Sequence, residues 1–276
     1  MGPVSLSNRT LKGQDLAGVL PPSLVKLPYL EMIDLTRNYL SGDIPPQWAS
    51  TKLEILSISM NRFSGPIPKF FGNITTLKYL GFEGNLFSGT VPPELGKLVN
   101  LEHLILNSNN LTGELPPTLA NLTNLKELRI SSNNFTGKIP SFIQNWKQLQ
   151  YLEIQASGFE GPIPSSISAL TDLIELRISD LTGEGSKFPP IRNMKSLDKL
   201  MLRSCNISGP IRTYLADMTE LRFLDLSFNK LEGQIPNLDS LTNVEAMCLT
   251  GNLLNGNIPD GIKSRESRSY VFYPTF

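Results

Sequence analysis

Leu101–Asn124 reads LEHLILNSNNLTGELPPTLANLTN, and the same pattern returns every 24 residues along nearly the whole chain. Leu101, Leu104 and Leu106 come first, then Asn109, Leu111, Gly113, Leu115 and Pro116, and last Leu119 and Leu122. Copies start at Leu6, Leu30, Leu53, Leu77, Leu101, Leu125, Leu149, Leu173, Leu197, Leu221 and Val244, eight intervals being 24 residues and two 23. A fixed period of this size means one supersecondary unit stacked on itself, so it governs every local reading.

Leu104 and Leu106 alternate with polar neighbours, the period-two sign of a short strand. Asn109 follows where the chain leaves the strand, and its amide can satisfy backbone groups of its own coil and the adjacent one. Stacking therefore predicts a ladder of Asn38, Asn61, Asn85, Asn109, Asn133, Asn229 and Asn252. Gly113 permits a tight bend, and Pro116 fixes an extended backbone without a donor. Leu119 and Leu122, three apart, read as the inner face of a helical or 3₁₀ turn. A coil buries roughly seven apolar side chains at about 1.5–3 kcal/mol each, but only when neighbours cover both ends. The expectation is one domain over 1–276, with eleven coils from near Leu6 to near Ile262 and 263–276 as a C-terminal flank.

Lys plus Arg and Asp plus Glu both number 25, which gives no electrostatic case for nucleic acid or an acidic polymer. Cys205 and Cys248 stand two coils apart, about 10 Å by strand spacing, so they read as free thiols. No apolar run approaches the ~20 residues needed to cross a membrane. The start, MGPVSLSNRT, lacks signal-peptide features, and the chain reads as a soluble fragment without membrane contact. His103 is the single imidazole, which removes most acid–base catalysis, and no Cys/His cluster has zinc spacing. Gly183-Glu-Gly185-Ser-Lys187 lacks the spacing of a phosphate loop. Glu127, Glu153 and Glu175 share a face, but alternating arginines favour their ionised forms and argue against a glycosidase pair. No enzyme activity, cofactor or metal is expected of these residues.

Three places depart from the pattern. Arg9 takes an inward strand position, where leucine is expected. The ladder position is Ser157, Leu181 and Cys205 in successive coils, and the coil at Leu173 reads SDLTGEGSKFPPIRNMKS without its Ile-Pro step. Ser157 keeps one donor and Leu181 none, which predicts a broken ladder and altered curvature or a bulged loop at Gly183–Pro190. After Ile262 the run KSRESR ends the pattern, SYVFYPTF is aromatic-rich, and the last coil is expected to be exposed. Glycosylation sequons stand at Asn8, Asn73, Asn110, Asn121, Asn134 and Asn206. Those at Asn110 and Asn134 also follow from the repeat itself, whereas Asn73 and Asn121 lie on the outer wall.

Leu40–Pro45, Phe63–Pro68, Phe135–Pro140 and Leu231–Pro236 share the form (L/F)xGxIP, which resembles the plant-type leucine-rich repeat. The resemblance covers almost the entire chain. It implies an α/β repeat solenoid, a right-handed superhelix with a parallel β-sheet on the concave face and short helical or 3₁₀ turns on the convex face. It also implies a second strand after each ladder Asn. LKGQDLAGVLPPSLVKLPYLEMIDLTRNYLSGDIPPQWAS and SDLTGEGSKFPP…LMLRSCNISGPI further resemble receptor-like kinases that carry a malectin-like domain after the repeats. In that family a transmembrane helix and a serine/threonine kinase follow, so the resemblance implies an extracellular location at the plasma membrane. Implied partners are a peptide, an oligosaccharide, a protein ligand or a co-receptor kinase. A secreted inhibitor of cell-wall-degrading enzymes, polygalacturonase-inhibitor-like, is the alternative with the same repeat.

Outward strand positions fall two, four and six residues after each first leucine. They gather Tyr79, His103, Ile105, Asn107, Arg129, Tyr151, Glu153, Arg177, Arg203 and Phe223 in the middle coils. Aromatic and arginine anchors among polar groups suit a peptide or protein interface. A solvated charge ladder, in which Arg129, Glu153 and Arg177 neutralise one another, stays open beside it.

Overall fold

The computed structural model describes residues 8–259 and 270–272. Leu6, Ile262 and the KSRESR run lie outside the described residues. The chain divides into two units, Met1–Phe135 and Thr136–Phe276.

In the first unit, strands Asn8–Thr10, Met32–Asp34, Ile55–Ser57, Tyr79–Gly81, His103–Ile105 and Glu127–Arg129 pair in parallel, in chain order and in coil register. From Met32–Asp34 onward, the central residue of each strand is buried (Ile33, Leu56, Leu80, Leu104 and Leu128), while its neighbours form the open face of the sheet. Five 3₁₀ turns run along the opposite wall: Pro22–Lys26, Pro46–Ser50, Lys69–Asn73, Pro93–Lys97 and Pro117–Asn121. Each is entered from a proline in extended conformation, which supplies a fixed φ where no donor is needed. A second parallel row, Ser64–Pro66, Leu86–Thr90, Asn110–Gly113 and Asn134–Phe135, follows the ladder residues.

The buried asparagines bind neighbouring coils together. Asn109 donates to Phe82 O at 3.0 Å and Leu106 O at 3.1 Å, and accepts from Phe87 N–H at 3.1 Å. Asn85 repeats this with Ile58 O, Phe82 O and Phe63 N–H. A buried backbone group without such a partner costs about 1–3 kcal/mol. At the start of the unit, Arg9 does not point into a core: it is exposed and helps line an apolar hollow of about 350 Å³ with Leu11, Leu20, Leu24 and Trp48. A guanidinium cannot be buried there without a charged partner.

In the second unit, Tyr151–Ile154, Glu175–Ser179, Lys199–Arg203, Phe223–Asp225 and Ala246–Cys248 pair in parallel. Tyr270–Phe272, inside the stretch read from sequence as a flank, pairs with Ala246–Cys248. The second row is split. Thr182–Gly183 pairs back to Glu160–Gly161, whereas Ser186–Lys187, three residues later, pairs forward to Ile207–Gly209. One coil thus supplies two short strands offset by Glu184-Gly185. Gly185 is forced, because a Cβ there would collide with Asn206 O. No 3₁₀ turn occurs in this coil among the described residues; Phe188, Ile191 and Met194 fill its outer wall.

The ladder substitutes behave differently from one another. Ser157 is fully buried and its hydroxyl has no partner, so the hydrogen bond expected of it is not made. Leu181 is a plain core residue. Cys205 shares its thiol proton between Ile178 O at 3.3 Å and Arg203 O at 3.2 Å, reproducing part of the asparagine pattern. Asn229 then serves two donors, accepting from Cys205 N–H and Ile207 N–H at 3.0 Å each.

Candidate ligand-binding face

The open face of the first unit is set by which residues flank the buried strand centres. Register places Met32, Ile55, Tyr79, His103 and Glu127 in one row, and Asp34, Ser57, Gly81, Ile105 and Arg129 in the next. Small residues at Ser57, Ser59 and Gly81 leave the surface hollow; a Cβ at Gly81 would lie 3.2 Å from both serine hydroxyls. The hollow holds about 430 Å³ and is lined by Lys12, Met32, Asp34, Thr36, Arg37, Ile55, Ser57, Ser59, Met60, Tyr79 and Glu83. Along its floor Thr36 Oγ1 meets Ser57 Oγ at 2.8 Å, and Ser57 Oγ meets Ser59 Oγ at 3.4 Å. Asp34 Oδ1 accepts the Thr36 N–H at 3.0 Å.

Beside the hollow, Tyr79 packs on His103 with ring centroids 5.6 Å apart. His103 Nδ1 lies 2.8 Å from Glu127 Oε2, and Glu127 Oε1 accepts from Arg129 Nε at 2.5 Å. Burial pushes the Tyr79 phenol above its usual value, and the carboxylates of Glu127, Glu83 and Asp34 add to this against Arg129. Ile105 and Asn107, expected to point outward, are both buried. Asn107 accepts the Ser131 N–H at 2.8 Å, which ties two coils together.

In the second unit, Tyr151, Glu153, Arg177 and Phe223 are half-buried on the strand face and Arg203 is exposed. Arg177 Nε pairs with Glu175 of its own strand, whose Oε1 also lies 3.9 Å from Lys199 Nζ. Lys199 sits 5.6 Å from the Phe223 ring centre, and Arg203 stacks 4.5 Å from that of Phe228. Arg129 and Arg177 therefore each pair with the carboxylate two residues earlier on the same strand.

Sequence reasoning weighted large residues and so missed the hollow. The available signal was negative: Ser57 and Gly81 occupy an offset where other coils carry bulkier side chains. Of the sequons, Asn73, Asn110, Asn121 and Asn134 are exposed, whereas Asn206 is half-buried and donates to Gly183 O at 3.1 Å. The Asn8 side chain lies outside the described residues. The Cys205 thiol is pushed up to about 12 by burial, with help from Asp180.

Family models described as a leucine-rich repeat region and a leucine-rich repeat match residues 51–157 and 220–240. A probable leucine-rich repeat receptor-like serine/threonine-protein kinase of Arabidopsis thaliana is 52% identical over 72 residues, which are 26% of this chain and 7% of that protein. Among solved structures, a TDR receptor superposes with a TM-score of 0.88 at 30% identity, over 94% of this chain and 45% of the receptor. The Arabidopsis receptor kinase HAESA, in complex with the peptide hormone IDA and the co-receptor SERK1, gives 0.76 at 31% identity, over 92% and 47%. A plant ice-binding protein gives 0.71 at 31% identity, over 87% and 78%. The chain thus spans less than half of the receptors it matches.

Proposed function

Since the chain belongs to the leucine-rich-repeat proteins, we propose that it is a non-enzymatic recognition region of a plant receptor-like kinase, displayed outside the plasma membrane. It binds a peptide, a cell-wall oligosaccharide or a co-receptor, and relays occupancy to a serine/threonine kinase elsewhere in the longer protein. We assign it to the type with a malectin-like domain, on the resemblance of Leu11–Ser50 and Ser179–Ile211 to that group.

The observation that carries this reading is the hollow on the open strand face, flanked by Tyr79 and the His103–Glu127–Arg129 cluster. An aromatic ring and an arginine beside a hollow are groups that recognition surfaces use. HAESA, of similar fold, is a receptor in complex with a peptide hormone, which favours a peptide as ligand here.

Calorimetry with secreted peptides and cell-wall oligosaccharides tests the reading. Saturable binding that falls in Tyr79→Ala or in Arg177→Ala supports recognition on the strand face. Binding that appears only when the chain is extended through its following domain moves recognition off these coils.

A further inference from the structure

Within the hollow of the first unit, charges remain unspent. Glu83 makes no ion pair or side-chain hydrogen bond among the described residues, and Asp34 has committed one oxygen, to Thr36 N–H. Lys12 and Arg37, exposed at the rim, pair with neither of them. The floor has a surplus donor as well. Thr36, Ser57 and Ser59 carry three hydroxyl protons, and the two contacts among them use two. With Ser57 donating to Ser59, the Ser59 proton has no acceptor, although only 5% of that residue is exposed. A buried donor left unspent in an open hollow is satisfied by whatever fills the hollow.

The walls then specify the occupant. Met32, Ile55 and Met60 offer thioether and aliphatic surface, on which a methylene stem packs. Tyr79 presents a ring already in the field of Asp34, Glu83 and Glu127. A cation gains from the carboxylates and from the ring face together. A neutral sugar can donate hydroxyls to the carboxylates but brings no charge to them.

We infer that the hollow lined by Asp34, Ser59, Tyr79 and Glu83 is a subsite for a cationic group of a bound peptide. Its guanidinium or ammonium meets Glu83 and the free oxygen of Asp34 beside Tyr79, and a backbone carbonyl accepts from Ser59. Lys12 belongs to the first coil, Asp34 and Arg37 to the second and Glu83 to the fourth, so the ends of the hollow carry opposite charge with both signs between them. The cation points toward the Glu83 end, and any acidic group of the ligand toward Lys12. This rests on the recognition reading above and narrows it to one place and one chemistry.

Methyl-labelled methionine makes the test direct, because Met32 and Met60 line the hollow while Met194, Met218 and Met247 are buried in the other unit. N-acetylarginine methylamide is titrated beside its neutral citrulline analogue, with glycylglycinamide supplying a terminal ammonium. The expected result is a saturable shift of Met32 and Met60 alone, about tenfold weaker for the citrulline compound and in Glu83→Gln. The arm that binds more tightly tells whether a side-chain guanidinium or a chain terminus fills the site. Equal responses to the arginine and citrulline compounds, shifts confined to other methionines, or no shift at about millimolar concentration overturn the subsite. Dispersed native signals of Met32 and Met60 before titration, with Met194, Met218 and Met247 unmoved, show that Glu83→Gln is folded in both units. If longer peptides bind wild type and Glu83→Gln alike but fail on Arg177→Ala, the recognition reading stands and this subsite falls.

Discussion

The coils at Leu77 and Leu101 and the coils at Leu149 to Leu197 use the same period to different ends. In the first pair, every ladder amide reaches its own coil and the one before, and the second row of strands runs on unbroken. In the second set the ladder is a silent serine, a leucine and a thiol, and the row splits at Glu184-Gly185. The contrast shows that apolar stacking and strand hydrogen bonds keep coils in register without the amides, since Leu152, Leu176 and Leu200 remain buried and paired above a broken ladder. The amides add uniformity. Where they are absent the chain is free to jog by three residues.

The largest test of that contrast is Asn109→Ala, which strands the buried Phe87 N–H and removes the amide bonds to Phe82 O and Leu106 O. Urea unfolding should show a loss of about 2–4 kcal/mol. Cys205→Ala removes a shared weak hydrogen bond and some packing, and should cost about 1–2 kcal/mol by the same titration. Ser157→Ala deletes a hydroxyl with no partner, and a midpoint shift beyond about 0.5 kcal/mol would contradict the idea that this rung is silent.

The thiol also predicts a pH effect. Its folded pKa is near 12 against a usual value of 9, so the folded state holds its proton where the unfolded chain has lost it. Stability from this group is present below about pH 9 and declines as pH rises toward 12, by roughly 1.4 kcal/mol per unit once the unfolded thiol ionises. The alkaline loss should be shallower in Cys205→Ala. Smallest in energy is a modification test. Glycopeptide mapping after secretion should find Asn73 and Asn121 carrying sugar more fully than Asn206, whose amide is tied to Gly183 beside the jog.

Much of the fold was legible because it repeats. A leucine at a fixed offset recurs in ten of eleven coils, so one exception cannot mislead, and the buried centres and the polar ladder follow from side-chain chemistry alone. The strand face was legible as a face, and Tyr79, His103 and Arg129 do cluster on it. Its relief was not. Ile105 and Asn107 sit at outward offsets and are buried, Ile105 between Gly81 and Arg129 and Asn107 held by its hydrogen bond to the next coil.

The sequence by itself determined the period, the register, the placement of asparagine and proline, and the coil where regularity fails. Each of these depends on one residue type recurring at one spacing. Only the tertiary structure decided that Arg129 and Arg177 pair along their own strands, that Cys205 bonds where an asparagine would, and that three small residues open a hollow. Those outcomes depend on distances between coils, and a side chain's exposure there is set by its neighbours one coil away.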